Sequence, residues 1–356
     1  MIPYEGDYVL LGQTGIRVSR LAFGCGFRGV HDVREAARVL SCAIDCGINY
    51  IDCANVYRLR SGVHAEEALG MALQGRREQV VITSKFGGQL DERNPVRNGA
   101  GAARLNMLRA VEDSLRRLKT DYIDVYLLHM PDQDTAFEET MRGFEQLCRD
   151  GKIRYAGLCN HKAWQVAEMQ AIQRRYGGCP ISVLQNPYNL LNRSAEEELF
   201  PAVAYEGLGF MGYSPLAAGL LGGAFAHGRP APEKSTWSYD PCYAEYLRRI
   251  FPGSIAQIVD AVWALAQEYH VSSAAVATAW ALRHPQVTCM ITGADSAEEL
   301  EDSLRAVTLR LAPEDLSLLD SLSLGMRQEF AHPEVEKHLA ALKAAESVKT
   351  HGVREG

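Results

Sequence analysis

The sequence lacks several features that mark large classes of proteins. No two cysteines have the Cys-x-x-Cys spacing, and the nine cysteines are scattered, so neither a zinc site nor a disulfide framework is predicted. No apolar run approaches the roughly 18 residues that a membrane span requires, and no basic and apolar leader opens the chain. No long run of one charge sign occurs. We expect a cytoplasmic protein with reduced thiols, no metal, and no membrane or nucleic-acid partner.

The bulk composition is that of a chain with a large core. It has 356 residues, of which 47% are hydrophobic, and a formal net charge of −7. An α/β barrel often reaches this length as a single domain. Cys42 and Cys46 lie one helical turn apart, which suits a metal or redox pair, but small apolar residues on a buried helix face are the commoner case.

One pattern recurs along the chain, in which a short apolar strand ends on a glycine or polar residue and a helix follows. Most intervals between strand ends are about 25 to 45 residues, the size of a βαβ unit. The strands alternate only weakly, which is typical of a parallel sheet covered on both faces. Eight strands are predicted, ending at Gly24, Asp52, Lys85, His129, Asn160, Gln185, Tyr213 and Gly293.

Helical periodicity is clear in segments such as VREAARVLSCAI, RLNMLRAVEDSLRRL and AEELEDSLRAV. Gly47, Gly151 and Gly207 stand where a helix needs a left-handed residue at its carboxyl end. The longest interval, from Tyr213 to Gly293, contains a Gly/Pro-rich stretch that we interpret as a long loop. Two helices are predicted after that loop, in IVDAVWALAQEY and SAAVATAWALRH.

These repeats predict a (β/α)8 TIM barrel. An N-terminal β-hairpin at about residues 8–19 precedes it and is expected to close its bottom. A doubly wound open sheet is the alternative, disfavoured because no Gly-x-Gly-x-x-Gly follows the first strand. We assign the barrel domain to residues 1–326. Residues 327–356 form a C-terminal extension, with a helix from Pro333 to Ala345.

Four polar side chains are expected to meet at the mouth of this barrel, where the carboxyl ends of all strands face. Asp52, Lys85 and His129 end three successive strands, and Tyr57 follows Asp52 in the next loop. A buried lysine needs a partner, which Asp52 supplies. The lysine charge is expected to lower the pKa of the Tyr57 phenol and make it a proton donor. Each residue alone has a structural explanation, but four at one end favour catalysis.

At these residues the sequence resembles the aldo-keto reductase family, in particular bacterial sugar- and aldehyde-type members with a GYSPLAxGLL loop. The resemblance covers about residues 8–325 and implies a TIM barrel, an extended nicotinamide cofactor without a Rossmann fold, and hydride transfer at a carbonyl carbon. It implies that Asp52, Tyr57, Lys85 and His129 form the catalytic tetrad. The segments that carry it include GINYIDCANVY, HAEEALGMAL, VVITSKFG, DYIDVYLLHMPD, GKIRYAGLCN, LQNPYNLLNR, GYSPLAAGLLGG and ITGADSAEELEDSL.

The resemblance also implies which residues bind the cofactor. Asn160 and Gln185 would meet the nicotinamide amide, Tyr213 would stack on the ring, and the loop from Ser214 would wrap the pyrophosphate. Cys159 replaces the usual serine, which weakens one hydrogen bond, and Ala224 stands where a lysine is common. The full implied set is Gly24, Cys25, Cys159, Asn160, Gln185, Tyr213, Ser214, Leu216, Gly219, Leu220, Ile291, Gly293, Ser296, Glu299 and Asp302.

The adenosine end departs most from the family pattern. Glu299 stands where an arginine is typical, and Asp302-Ser303 replaces a Glu-Asn pair. Carboxylates repel a 2′-phosphate but accept hydrogen bonds from ribose hydroxyls. We therefore predict a preference for NAD(H) over NADP(H); the alternative is that another basic residue, such as Arg305, reaches the phosphate.

The substrate side is the least specified. Arg58 and Arg60 replace a flexible glycine turn after Tyr57, which suits either a clamp on an anionic substrate, such as a sugar with an acidic group, or surface arginines paired with Glu66, Glu67 or solvent. Trp237, with its neighbours in the long loop, either walls a substrate pocket or pins the loop.

The leading interpretation is an oxidoreductase that interconverts a carbonyl and an alcohol of a small molecule, with Tyr57 as proton donor or acceptor. The alternatives are a nicotinamide-assisted isomerase or lyase acting on a sugar, and a non-catalytic subunit that senses the cofactor. Substrate, direction and oligomeric state are left open by the sequence.

Overall fold

A closed ring of parallel strands forms the centre of the computed structural model, which describes residues 2–90, 95–233, 235–330 and 335–343. Each strand pairs with its neighbours in chain order, and the last pairs with the first. The predicted TIM barrel is confirmed, and the predicted strand ends lie within two residues of the observed ones. The barrel strands are β3 (Leu21–Gly24), β4 (Tyr50–Asp52), β5 (Val81–Phe86), β6 (Ile123–Leu128), β7 (Ile153–Cys159), β8 (Ile181–Pro187), β9 (Gly209–Tyr213) and β10 (Cys289–Thr292).

Helices surround this ring, and most of them pack against it or against a neighbouring helix. The first begins at the side chain of Asp32, which accepts hydrogen bonds from the backbone of Arg34 and Glu35. The helices are α1 (Val33–Asp45), α2 (Ala65–Ala72), α3 (Arg104–Leu118), α4 (Phe137–Arg149), α5 (Ala163–Tyr176), α6 (Leu199–Glu206), α7 (Thr236–Tyr239), α8 (Pro241–Ile250), α9 (Ala256–Glu268), α10 (Ser273–Leu282), α11 (Ala297–Leu304) and α12 (Pro313–Ser323).

Gly47, Gly151 and Gly207 all have positive φ, as predicted. Gly207 ends α6 at φ 66° and ψ 35°, a left-handed conformation that favours glycine. Its carbonyl also accepts a hydrogen bond from the backbone of Gln13, at 3.0 Å. This turn therefore joins the barrel wall to the N-terminal hairpin.

The long segment between β9 and β10 holds more helix than the two predicted. α8 starts at Pro241, with the Asp240 side chain accepting from the backbone of Cys242 and Tyr243. An aspartate before a proline is a strong start signal, because the proline has no N–H to satisfy in the first turn. The long loop was predicted for the Gly/Pro-rich stretch at residues 222–241, and this is wrong for α7, which lies inside it. α8 follows at the end of that stretch, where no helix was predicted.

The N-terminal hairpin, β1 (Tyr8–Leu10) and β2 (Arg17–Ser19), pairs antiparallel as predicted. Leu11 and Val18 are fully buried and belong to one apolar cluster with Tyr50, Val125 and Met211 of the barrel strands. The hairpin therefore closes the amino end of the barrel with apolar side chains.

The C-terminal extension packs against α8. Residues 335–343 are helical, with Val335 and Leu339 buried and Lys343 paired to Glu245 at 2.8 Å. The predicted helix ends, Pro333 and Ala345, lie outside the described residues. The division of the chain into domains at residue 326 stays a prediction.

The thiols depart from expectation at one pair. Cys148 and Cys179 form a disulfide, so the expectation of reduced thiols is wrong there, while the other seven cysteines are free. In the described part of the chain, no group of His, Cys, Asp and Glu is placed to hold a metal ion. No helix in the described residues has the length and apolar character needed to cross a membrane.

We expect Leu11→Ala to lower the free energy of unfolding by about 2–5 kcal/mol, because it removes buried methyl groups from the hairpin's contact with the barrel. Denaturant unfolding measures this. The control is Leu10→Ala, since Leu10 is 51% exposed and should change stability by no more than about 0.5 kcal/mol. Equal losses in the two variants would contradict the role given to the hairpin.

Candidate active site

A buried ion pair lies at the carboxyl end of two neighbouring strands. The Lys85 Nζ donates to Asp52 Oδ2 at 2.7 Å, to the Cys53 carbonyl at 2.8 Å and to the Tyr57 hydroxyl at 3.2 Å. β4 and β5 pair in register, which brings Asp52 beside the strand that carries Lys85. All three ammonium protons therefore have an acceptor, although the side chain is fully buried.

The electrostatics of this group follow from burial and one counter-charge. Burial is the largest single effect on the pKa of Lys85 and lowers it, but the Asp52 carboxylate, Tyr57 and Cys159 together outweigh burial and hold that pKa well above its ordinary value. Lys85 is therefore charged at neutral pH, inside the barrel.

The pKa of Tyr57 shows the opposite balance from the one expected. Burial raises it well above the ordinary value of a phenol, and Lys85 offsets only part of that rise. The expectation of a lowered pKa is wrong here, because desolvation of the phenolate is the larger effect. The phenol is protonated at neutral pH and lies beside a fixed positive charge.

His129 completes the group as a neutral imidazole. Burial, with a smaller contribution from Lys85, lowers the pKa of its imidazole to about 3. Its ring meets the Tyr57 ring edge-on, with centroids 5.8 Å apart. Tyr57 and His129 line the same cleft, so both face any molecule bound there.

Two amide side chains extend this network. Gln185 donates from Nε2 to the second oxygen of Asp52 at 2.8 Å, and Cys159 donates to Gln185 Oε1 at 3.5 Å. Asn160 has a left-handed φ of 62° and accepts from the Tyr213 hydroxyl at 2.7 Å. Each of these side chains is thus held in one orientation at the mouth.

A cleft of about 440 Å³ opens beside these residues. Asp52, Tyr57 and His129 line it, while Lys85 lies beneath them. The predicted cofactor residues that line the cleft are Gly24, Cys159, Asn160, Gln185, Tyr213, Ser214, Leu216, Gly219, Ile291, Gly293 and Glu299.

Four of the predicted cofactor residues do not line the cleft. Cys25 and Leu220 are fully buried in the apolar core. The Ser296 hydroxyl caps α11 by accepting from the backbone N–H of Glu299, and Asp302 lies further along the same helix. Sequence position alone does not distinguish the face of a helix or loop that meets the cleft from the face that packs away from it.

Arg28 and Asp295 line the cleft and were not predicted. Asp295 accepts from the backbone N–H of Arg28 at 3.1 Å and of Gly29 at 2.6 Å, and Arg60 donates from Nε to the Arg28 carbonyl at 2.9 Å. We call Arg28, Gly29, Arg60 and Asp295 the clasp, because they join three loops at the edge of the cleft. Asp295 could have been predicted from the sequence, because it is a polar residue shortly after the predicted strand end at Gly293.

The predicted substrate residues are not lining residues of the cleft. Arg58 donates to the carbonyl of Gly62 in its own loop, at 2.8 Å, and Arg60 belongs to the clasp. The alternative of a surface ion pair between one of these arginines and Glu66 is also wrong, because Glu66 is buried and hydrogen-bonded to Arg117 and Ser84.

Trp237 lies in the long segment rather than in the cleft wall. Its indole N–H donates to the Ala218 carbonyl at 2.9 Å, and its ring meets the edges of Tyr243 and Phe330. Of the two interpretations offered by the sequence, these contacts favour a residue that pins the loop.

At the adenosine end predicted from the sequence, Glu299 has a structural contact as well. Its Oε2 accepts from the backbone N–H of Asp295, the residue before the N-cap Ser296, at 2.9 Å. Arg305 is exposed and does not line the cleft, whereas Arg28 does.

Comparison with known proteins agrees with this architecture. The model described as "Aldo/keto reductase family" matches residues 21–324. The chain is 34% identical to "Uncharacterized oxidoreductase YrpG" of Bacillus subtilis, over 90% of this chain and 96% of that protein. It is 33% identical to a probable voltage-gated potassium channel subunit beta of Oryza sativa, over 89% and 96%. It is 33% identical to a putative aryl-alcohol dehydrogenase of Schizosaccharomyces pombe, over 88% and 94%.

The family match spans nearly the whole barrel, and the relatives are covered almost from end to end. With the eight-stranded ring and the cleft at its mouth, these similarities support an oxidoreductase of the carbonyl and alcohol type, and the chain belongs to the aldo/keto reductase family.

Proposed function

We propose that this protein is a nicotinamide-dependent oxidoreductase that interconverts a carbonyl and an alcohol of a small substrate. The observation that carries the proposal is a protonated phenol, Tyr57, within 3.2 Å of a buried ammonium group and facing an open cleft. A phenol so placed suits proton exchange with a substrate oxygen better than a structural role, which would leave its hydroxyl away from a cavity.

Each residue of the group has a separate task in the proposed reaction. In reduction, Tyr57 gives its proton to the substrate oxygen; in oxidation it takes that proton back. Lys85 stabilises the phenolate that forms, and Asp52 holds Lys85 in place and balances its charge. His129, which is neutral, donates a ring N–H to the same oxygen and so orients the carbonyl.

The cleft residues fit a nicotinamide dinucleotide. The amide side chains of Asn160 and Gln185 supply donors and acceptors for a carboxamide, and Tyr213 supplies an aromatic wall. The backbone from Ser214 to Gly219 has positive φ at four residues, Ser214, Ala217, Ala218 and Gly219. Backbone in this conformation directs its N–H groups toward a concave surface, and such a surface binds phosphate. When bound, the cofactor supplies or accepts the hydride.

We expect Tyr57→Phe to lower kcat by about 10²- to 10⁴-fold, the usual contribution of a general acid, while NADH binding by fluorescence stays near the wild-type value. A panel of aldehydes and keto sugars with NADH at 340 nm gives the rates. The control is Tyr205→Phe, because Tyr205 is 85% exposed. Undiminished turnover in the Tyr57 variant would disprove the proposed proton donor.

We also propose a preference for NAD(H), supported by Asp295 and Glu299 in the cleft wall. Glu299→Gln should raise kcat/KM for NADPH about fivefold relative to NADH, since it removes roughly 1 kcal/mol of repulsion yet keeps an oxygen for the Asp295 N–H. Glu298→Gln, on the same helix and outside the cleft, is the control. A wild-type enzyme that prefers NADPH tenfold would contradict this part of the proposal.

The clasp gives a third expectation, about cofactor exchange. Arg60→Met removes the hydrogen bond to the Arg28 carbonyl and should speed NADH release about fivefold, from the roughly 1 kcal/mol of one hydrogen bond. Stopped-flow fluorescence measures the release rate. Arg58→Met is the matched control, because Arg58 bonds within its own loop; equal rates in both variants would argue against a clasp.

A second candidate is a non-catalytic subunit that binds the cofactor, which the similarity to proteins named as potassium channel beta subunits favours. Tight NADH binding with no oxidation across the carbonyl panel would support it. The isomerase alternative predicts substrate conversion without a net change in NADH. Cytoplasmic location stays a prediction under either candidate.

A further inference from the structure

A second cavity, of about 310 Å³, lies at the opposite end of the barrel from the cleft. Arg20, which precedes β3, and Leu282 with Arg283, which end α10, line it. Arg310 lines it from the segment that joins α11 to α12, and Leu316 lines it from α12 itself. Because strands begin at this end, no residue of the proposed catalytic group is near it. We call it the basal cavity.

The basal cavity is rich in positive charge. Arg20, Arg283 and Arg310 line it, and the one acidic side chain among its lining residues is Asp7. Arg283 is paired with Asp320. Within the described part of the chain, Arg20 and Arg310 form no ion pair; Arg310 donates only to the backbone carbonyls of its own turn, at Val307 and Leu309.

Arg20 also has an unsatisfied donor. Its Nη2 donates to the carbonyls of Leu282 and Val287, but its buried Nε has no hydrogen-bond partner among the described residues. Buried donors are nearly always paired in native structures, and one attached to a charged group is costly to leave unpaired. The Arg20 guanidinium therefore lacks both a counter-ion and a full set of acceptors.

The rest of the cavity wall is apolar. Leu282, Val307, Leu309, Leu311 and Leu316 line it. A site for a bare inorganic ion would be lined by polar groups, whereas this one combines guanidinium groups with hydrocarbon. Its volume lies at the lower end of the range for ligand sites, about 300–1,000 Å³, so the occupant is small.

We propose that the basal cavity binds a small organic carboxylate with an apolar body. The carboxylate accepts hydrogen bonds from Arg20 and Arg310, since planar guanidinium groups match carboxylate geometry. The hydrocarbon part packs against the leucines of the wall. This site is separate from the cleft at the mouth and does not depend on the proposed redox function.

The test is calorimetric titration of the full chain with sodium octanoate, with 1-octanol as the uncharged probe. We expect one saturable site for octanoate in the wild type and at least tenfold weaker binding of 1-octanol. Arg310→Met should weaken octanoate binding at least tenfold, and Arg20→Met likewise. Arg38→Met is the control, because Arg38 is exposed on α1, outside the cavity.

Thermal unfolding checks the fold of each variant without ligand. Arg310 is exposed, so its variant should unfold near the wild-type temperature even if the Arg20 variant is destabilised. Octanoate should raise Tm in the wild type and in Arg38→Met but not in Arg310→Met, because a ligand stabilises only the state that binds it. No saturable binding, equal binding of 1-octanol, or octanoate bound by Arg310→Met with wild-type affinity would overturn the proposal.

Discussion

The ion pair between Lys85 and Asp52 is the interaction on which the arrangement at the mouth depends. An ammonium group inside an apolar barrel is strongly disfavoured unless a counter-charge and acceptors surround it. The Asp52 carboxylate, the Cys53 carbonyl and the Tyr57 hydroxyl provide these, and Gln185 holds the other oxygen of Asp52. Asp52, Cys53 and Tyr57 come from the end of β4 and its loop, Lys85 from β5 and Gln185 from β8. The pair therefore ties three strands together at the mouth as well as setting its charge.

The sequence predicted the positions of these groups better than their energetics. The strand ends can be predicted from the sequence because short apolar runs stop at polar residues. Parallel strands then bring those residues to one edge of the sheet. The pKa of Tyr57 cannot be predicted from the sequence, since it depends on how completely neighbouring loops exclude water. The hydrogen-bond partners of Arg60 and Trp237 could not be predicted either, because both side chains donate to backbone carbonyls of distant loops. Every residue type has such a carbonyl, so the sequence does not mark the acceptor. The helix at Pro241 was missed although its start signal, Asp240-Pro241, was present.

The clasp explains a local oddity of the sequence. Two arginines follow Tyr57 where a flexible turn would suffice for the strand connection. One of them, Arg60, links the loop of Tyr57 to the loop of Arg28, which Asp295 holds from the other side. Hydrogen bonds thereby connect the loop that carries the phenol to the loops at the cleft edge.

The apolar hairpin at the amino end has a consequence for proton traffic. Leu11 and Val18 fill that end with apolar side chains, whereas Tyr57 and His129 line the cleft at the other end. We therefore expect protons to enter or leave the buried network through the cleft. A molecule that fills the cleft would isolate the Lys85 ammonium group from solvent. Proton exchange between that group and bulk water would then wait until the molecule leaves.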